Sequence, residues 1–319
     1  MTQSMHVLVI GCGSIGRRHV DNLLALDAVG RVTVATSRPD CLEVFGTDPR
    51  IATVSSPEGV ACDFAIVAND TDSHVGAAAA LLQRGVPVLV EKPLSATPED
   101  VDALMASAAS ILTGVAYNMR FLGVMPLLTG WLDSGALGTP YFARIEVGRD
   151  ITAWRAGRDY RDTYSASRRR GGGVALDLSH EVDYMRFLFG DPAAWNVLTV
   201  HTGALEADVE DVFEGLYSFE NRFLCSVHMD YLEHSARRSL ALVTSRGRLT
   251  CDFIARTLTA TMDLPAHPDP ASLFDMAGTY RLEVAAFADA VAGRSAWPGA
   301  TLAEGRRALE LLGSKDDRR

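Results

Sequence analysis

The sequence predicts an α/β fold in its first third, a doubly wound parallel sheet, followed by an α+β region built on an open, mostly antiparallel sheet with flanking helices. Two observations predict the first part. Apolar runs of strand length alternate with segments of helical periodicity, and a Gly-x-Gly-x-x-Gly sequence, Gly11-Cys12-Gly13-Ser14-Ile15-Gly16, lies between the first run and the first helix. A third observation predicts the rest: beyond Asn118, short β-rich runs follow one another with no helix between them.

In chain order, His6 to Ile10 is the first strand, and Ser14 to Leu26 carries Ile15, Val20, Leu23, Leu24 and Leu26 at roughly helical spacing. Gly11 permits the tight turn between them. Gly13 lets backbone N–H groups approach a pyrophosphate, and Gly16 lets helix and strand pack closely. Further strands are expected at Val32 to Thr36, Ile51 to Val54, Phe64 to Val67, Val86 to Val90 and Leu112 to Ala116. Helices are expected at Ser73 to Arg84 and at Pro98 to Ala109, the latter capped by Thr97 with Pro98 in its first turn. Helices at Met125 to Ser134, Leu178 to Phe189 and Tyr280 to Ala292 accompany β-runs at Tyr141 to Val147, Val197 to Thr202, Phe213 to Phe219, Phe223 to Met229, Ser239 to Thr244, Arg248 to Phe253 and Thr257 to Met262. Glu220-Asn221-Arg222 and Ser245-Arg246-Gly247 read as hairpin turns.

Composition narrows the class. The 319 residues suffice for two domains, and 48% hydrophobic with 22% charged residues is ordinary for a globular protein. The start of the sequence has no basic segment followed by a long apolar one, and no later run reaches membrane-spanning length, so a cytoplasmic protein without a membrane partner is expected. Five scattered cysteines with no Cys-x-x-Cys pair indicate neither a disulfide framework nor a metal site. A formal charge of -10 argues against nucleic acid as a partner.

The run Val86-Pro87-Val88-Leu89-Val90 delivers Glu91-Lys92-Pro93 to the carboxyl end of a predicted strand, where doubly wound sheets bind ligands. With the glycine fingerprint some eighty residues earlier, this segment resembles the Gfo/Idh/MocA family of NAD(P)-dependent sugar and polyol oxidoreductases. The resemblance implies a Rossmann domain over residues 1–118. It implies a substrate-binding and oligomerisation domain over 119–319, whose C-terminal helix is free to pack back on the first domain. A sugar or sugar derivative is then the small-molecule substrate, and the second sheet is the face of a homodimer or homotetramer. Gly11, Gly13, Ser14, Ile15, Gly16, Glu91 and Lys92 are the expected cofactor-binding residues. Asn69 and His74 are carried over with them, although the family often has proline where this chain has Asp70, and His74 also reads as a packing residue at a helix start. An NAD site usually offers an acidic residue at the end of the second strand, whereas this chain has Thr36-Ser37-Arg38. Ser37 and Arg38 suit a 2′-phosphate, so NADP(H) is favoured over NAD(H).

Gly171-Gly172-Gly173-Val174-Ala175-Leu176-Asp177-Leu178-Ser179-His180 resembles the family's third motif, in which an Asp and a His face the nicotinamide. Removing hydride from a carbinol carbon requires the hydroxyl proton to leave, and an imidazole titrating near neutral pH is suited to take it. His180 is therefore the expected acid/base and Asp177 its assistant. Lys92 would bond the reacting oxygen and favour neutral His180. On a continuous helix Asp177 and His180 would share a face at i and i+3, whereas many family members space them four apart. Asn118, Arg120, Trp154, Arg155 and Tyr160 complete the expected substrate contacts. Between Arg149 and Arg170, seven arginines face three aspartates. That asymmetry reads either as an anion site or as a solvated loop whose arginines pair with carboxylates or with a neighbouring subunit, and it makes a carboxylated sugar, or one carrying phosphate or a nucleotide, a better expectation than a neutral polyol. A redox-neutral lyase or epimerase cycle and a non-catalytic dinucleotide-binding regulator are the alternative functions. A regulator would be expected to lack the lysine or the histidine, and both are present.

Overall fold

Six strands with alternating helices form the parallel sheet that the alternation predicts: β1 Met5–Ile10, β2 Val29–Ala35, β3 Ile51–Val54, β4 Phe64–Val67, β5 Val88–Glu91 and β6 Thr113–Ala116. The computed structural model describes residues 4–108, 110–154, 157 and 159–313. Two compact units divide the chain, Met1–Phe121 with Ala277–Arg306, and Leu122–Met276 with Arg307–Arg319.

In the first unit the strand order is β3-β2-β1-β4-β5-β6, every pair parallel. Strands covered on both faces are expected to read as unbroken apolar runs, and every residue of β4 and β5 is buried. The helices α1 Ser14–Leu24, α2 His74–Leu82 and α3 Pro98–Ala108 connect them. The segment beginning at residue 277 adds α8 Met276–Val291, whose Val284, Phe287 and Ala288 join the core of Val7, Val9, Val32 and Ile66. Phe287 packs edge-on against Phe64 (centroids 5.5 Å apart) and Trp297 (5.1 Å). From β1 the chain winds outward in one direction and from β4 in the other, so the carboxyl ends of β1 and β4 border the topological switch point where ligands bind.

The second unit is built on a seven-stranded sheet in the order β13-β12-β11-β7-β10-β9-β8. Its strands are β7 Pro140–Gly148, β8 Ala194–Val200, β9 Val212–Ser218, β10 Leu224–Asp230, β11 Arg237–Thr244, β12 Gly247–Asp252 and β13 Thr257–Ala260. All neighbours are antiparallel except β7 and β10, which run parallel with Phe142 opposite Leu224. Period-two alternation sorts the side chains. Ala143, Ile145, Val227, Met229, Leu240 and Leu242 point into the core, α6 His180–Phe189 packs on β7 and β10, and the unit also carries α4 Val124–Asp133 and the short α7 Pro270–Leu273. The opposite face carries Phe142, Leu198, Val200, Leu216 and Leu224, all exposed.

Beyond shifted ends, such as β2 beginning at Val29 rather than Val32 and α8 at Met276 rather than Tyr280, three differences from the sequence reading stand out. β8 begins at Ala194 rather than Val197 because its pairing with β9 extends to Ala194 opposite Ser218. Helix α9, Leu302–Leu311, was not expected at all. It opens with a reciprocal capping box: the Thr301 N–H donates to Glu304 Oε2 (2.9 Å) and the Glu304 N–H to Thr301 Oγ1 (3.2 Å). The third difference lies in the glycine-led motif. Instead of one helix from Leu178, a short helix α5, Val174–Asp177, ends before α6 begins at His180.

Candidate active site

The fingerprint loop is closed by close packing of its own backbone. Gly11 has φ +98°, and a Cβ there would lie 2.5 Å from the Ala68 carbonyl oxygen; a Cβ on Gly16 would lie 2.3 Å from the Gly11 oxygen. Only glycine satisfies both contacts. Gly13 differs, since a Cβ there would meet nothing within 4 Å, which leaves its backbone open to a ligand. Gly13 is also the N-cap of α1; no side chain caps this helix and no acidic residue occupies its first turn. The N–H groups of Ser14, Ile15 and Gly16 therefore face the helix end with the positive pole of the dipole behind them, an arrangement that fits a pyrophosphate.

Lys92 follows β5, and its N–H donates to Glu91 Oε2 (3.1 Å). The other carboxylate oxygen of Glu91 lies 2.6 Å from His19 Nε2, a pair in which His19 is fully buried and Glu91 is 5% exposed. Helix α1 and the Lys92 corner are thus joined by one buried contact. His74 makes a second tie: its Nδ1 lies 2.9 Å from the Pro93 carbonyl and its Nε2 3.1 Å from the Asn69 carbonyl. Burial pushes its pKa down. These contacts are consistent with the packing alternative for His74, the ring spanning two loops at the carboxyl edge of the sheet. Asn69 and His74 are brought together there, beside Gly11, through the Ala68–Asn69 backbone.

After β2, the Arg38 N–H donates to Thr36 Oγ1 (3.0 Å), while the Ser37 and Arg38 residues are exposed. Thr36, Ser37 and Arg38 include no carboxylate, and the first acidic residue after β2 is Asp40, in the first turn of the next short helix. Asn118 and Arg120 are buried. Asn118 Nδ2 donates to Thr279 Oγ1 (2.6 Å) and Arg120 to Glu304 Oε1 (2.7 Å), so both bond the C-terminal segment of their own unit.

In the second unit Asp177 ends α5 and His180 opens α6, with Leu178 (φ −102°, ψ 23°) and the Ser179 N-cap forming the break. The expected shared face of a single helix is therefore replaced by two helix ends. Asp177 and His180 are 4% and 8% exposed. Tyr231, which follows β10, donates its hydroxyl to Asp177 Oδ2 (2.7 Å), and Trp154 packs edge-on to the Tyr231 ring (5.3 Å, 89°). The glycine run before α5 is filled by Glu210. Its carbonyl accepts the Val174 N–H (3.2 Å) and its Oε1 the Ala175 N–H (3.3 Å), and a Cβ on Gly173 would lie 2.3 Å from that Oε1. Burial, with the Asp177 charge nearby, pushes the Glu210 carboxyl up.

Within the arginine-rich loop, the charge of Arg161 is neutralised by its own neighbours. Arg161 bonds Asp159 and Glu206 (2.7 Å to the latter), and the Arg168 N–H donates to Asp208 (2.7 Å). The Tyr160 hydroxyl accepts the Glu206 N–H (2.9 Å). These contacts support the solvated-loop reading for Arg161, whereas Arg168 meets Asp208 through its backbone N–H and, with its Nε, the Asp208 carbonyl. Arg155 lies outside the described residues.

Sequence reasoning missed His19, Glu210 and Tyr231, which touch expected site residues from 72, 35 and 54 positions away or act through backbone. It also expected no disulfide, yet Cys12 is disulfide-bonded, whereas Cys62, Cys225 and Cys251 are free. Cysteine spacing along the chain carries no information on that proximity. Among the described residues no group of His, Cys, Asp and Glu could hold a metal ion, and no helix is long and apolar enough to cross a membrane.

Residues 5–116 match the family described as "Oxidoreductase family, NAD-binding Rossmann fold", and residues 127–250 match its "GFO/IDH/MocA C-terminal domain". The chain is 24% identical over 312 residues to a 1,5-anhydro-D-fructose reductase of Ensifer adhaerens, covering 93% of this chain and 91% of that one. It is 26% identical over 239 residues to a D-apiose dehydrogenase of Paraburkholderia graminis, covering 72% and 61%. In fold it resembles the WlbA dehydrogenase of Bordetella pertussis, solved with NADH and UDP-GlcNAcA, at a TM-score of 0.85 and 19% identity over 97% of this chain and 94% of that one.

Proposed function

Since the chain belongs to the Gfo/Idh/MocA family of oxidoreductases, we propose that it transfers hydride between a nicotinamide dinucleotide and a hydroxyl-bearing carbon of a neutral sugar or sugar derivative. The observation that carries this reading is the pairing of an uncapped α1 N-terminus at open Gly13 with Lys92 at the end of β5, on the carboxyl edge of one sheet. Ser14, Ile15 and Gly16 would hold the pyrophosphate by their N–H groups. The chemistry that a bound dinucleotide supplies is acceptance or donation of hydride at its nicotinamide ring.

The remaining work falls to side chains. The Lys92 ammonium donates to the reacting oxygen and stabilises the negative charge that grows on it as the C–O bond order changes. His180 takes the hydroxyl proton in the oxidative direction and returns it in the reductive one. Asp177 accepts a hydrogen bond from the substrate and orients it. Ser37 and Arg38 favour NADP(H) over NAD(H), because a guanidinium and a hydroxyl suit a 2′-phosphate and no carboxylate competes for the ribose hydroxyls. A neutral sugar is favoured because the Arg161 guanidinium already pairs with Asp159 and Glu206, and because the Glu210 carboxylate occupies the glycine run. We also propose that a second copy of the chain covers the outward sheet face carrying Phe142, Leu198, Leu216 and Leu224, since clustered exposed apolar side chains of this kind mark association surfaces.

The test is the appearance or loss of reduced nicotinamide absorbance with NAD(H) and NADP(H) against 1,5-anhydro-D-fructose, D-apiose and myo-inositol, with glucuronate as the acidic comparison. Lys92→Met should lower turnover on the best of these about a hundredfold or more while cofactor affinity stays within a few fold. Undiminished turnover in that variant would remove Lys92 from the chemistry.

A further inference from the structure

Tyr231 is a residue that the motifs leave unassigned. It is fully buried, and its backbone is fixed on both sides: its N–H donates to the Asp211 carbonyl (3.0 Å) and its own carbonyl accepts the Ile151 N–H (3.0 Å). Trp154 holds the ring in place edge-on, with an indole Nε1 that is buried and has no hydrogen-bond partner among the described residues. The one polar atom of the Tyr231 side chain reaches Asp177 Oδ2 at 2.7 Å. Burial, reinforced by the Asp177 charge, raises its pKa well above the ordinary tyrosine value, so the phenol remains a donor throughout any working pH.

A carboxylate turns readily about its last side-chain bond and accepts hydrogen bonds at both oxygens. One short bond from a fixed phenol removes that freedom. The fixation begins on the sheet, since Tyr231 directly follows β10, and it ends on α5, where the glycine run and Glu210 anchor the first turn. We propose that Tyr231 is a positioning residue for the reaction, holding the Asp177 carboxylate in the one rotation from which it orients a substrate hydroxyl. This rests on the reading that Asp177 meets the substrate. A buried tyrosine needed only for packing would be replaced by phenylalanine with no effect on chemistry.

The test compares Tyr231→Phe, Asp177→Asn and the double variant, using the sugar of the panel with the highest kcat/KM. Tyr231→Phe keeps the ring against Trp154 and should lower kcat/KM about tenfold or more, with dissociation constants for NADPH and NADH within twofold of the parent. The primary deuterium isotope effect on hydride transfer should rise, because a misoriented substrate makes the chemical step more nearly rate-limiting. In the Asp177→Asn background the same substitution should change kcat/KM by less than twofold. An equal loss with and without Asp177 would show a packing role and overturn the proposal. An Asp177→Asn enzyme with full activity would instead overturn the reading beneath it. If the Tyr231→Phe protein does not fold, 3-fluorotyrosine placed at 231 retains both ring and hydroxyl. Its fluorine resonance should move on saturation with the sugar in the presence of cofactor and should also move on Asp177→Asn; a resonance indifferent to both changes overturns the proposal.

Discussion

Replacing Arg238 with leucine should destabilise the second unit far more than a surface substitution does, through the carboxylate that it strands one residue from His180. Glu181 is fully buried and pairs with the Arg238 guanidinium, which is 18% exposed and meets both carboxylate oxygens at 2.6 and 3.0 Å. The pair ties the first turn of α6 to the first residues of β11. Removing one partner of such a buried pair costs about 3–5 kcal/mol, since the remaining charge has lost its water without compensation. The partial exposure of Arg238 places the expectation near the lower end, about 3 kcal/mol. At a urea m-value of about 2 kcal/mol per molar, the unfolding midpoint of this unit should fall by about 1.5 M. Urea titration followed by tryptophan fluorescence and circular dichroism reads the shift, with the two units allowed separate transitions. Glu181→Leu combined with Arg238→Leu should recover most of the loss, because the pair is then replaced by apolar packing. A midpoint change under about 0.5 M for Arg238→Leu, or a double variant no better than the single one, would refute the reasoning.

Arg38→Ala should weaken NADPH binding by about 1.5–3 kcal/mol and leave NADH nearly unaffected, as read by fluorescence titration; equal losses would remove the 2′-phosphate from the argument. His228 is predicted to make stability fall in mildly alkaline solution. Its hydrogen bond to Asp230 Oδ2 (3.2 Å), and then that to Glu214 (2.7 Å), raise its pKa from 6.5 to about 9. A raised folded-state pKa gives stability that is complete below the unfolded value and lost as pH climbs toward 9. His228→Gln should therefore flatten the stability profile between pH 6.5 and 9, and a parent-like slope in the variant would assign that slope elsewhere. Leu216→Lys, on the outward sheet face between β10 and the edge strand β8, should shift the species seen by light scattering to a smaller one without altering the circular dichroism spectrum; an unchanged mass would place the association surface elsewhere.

Legibility in the sequence follows the range of the interaction. The first sheet was readable because its central strands, β4 and β5 among them, are buried on both faces and so read as continuous apolar runs, and because the fingerprint is a local backbone device: Gly11 must take a positive φ, Gly16 must approach Gly11, and both lie within six positions. The second sheet was readable as strands from its alternation, but nothing local distinguishes the parallel β7–β10 pair from an antiparallel one. Helix α9 had a signal that went unused, the Thr301-x-x-Glu304 capping box, which is specific enough to start a helix where hydrophobic spacing is irregular.

The third motif shows where motif reading ends and packing begins. Counting residues from Asp177 to His180 assumes an unbroken helix, on which the count alone fixes the angle between the two side chains. The break at Leu178–Ser179 removes that assumption, and the direction of each side chain is then set by the helix end that bears it and by what holds that end. For Asp177 the holders are Tyr231, 54 residues away, and Glu210 on the preceding glycine run; for the start of α6 they include the Glu181–Arg238 pair, whose members are 57 residues apart. The three-residue spacing in this chain is therefore not a rotation on one helix. It is the length of a connection between separately anchored ends, and the positions to vary when that geometry is tested are Tyr231, Glu210 and Arg238 rather than the spacing itself.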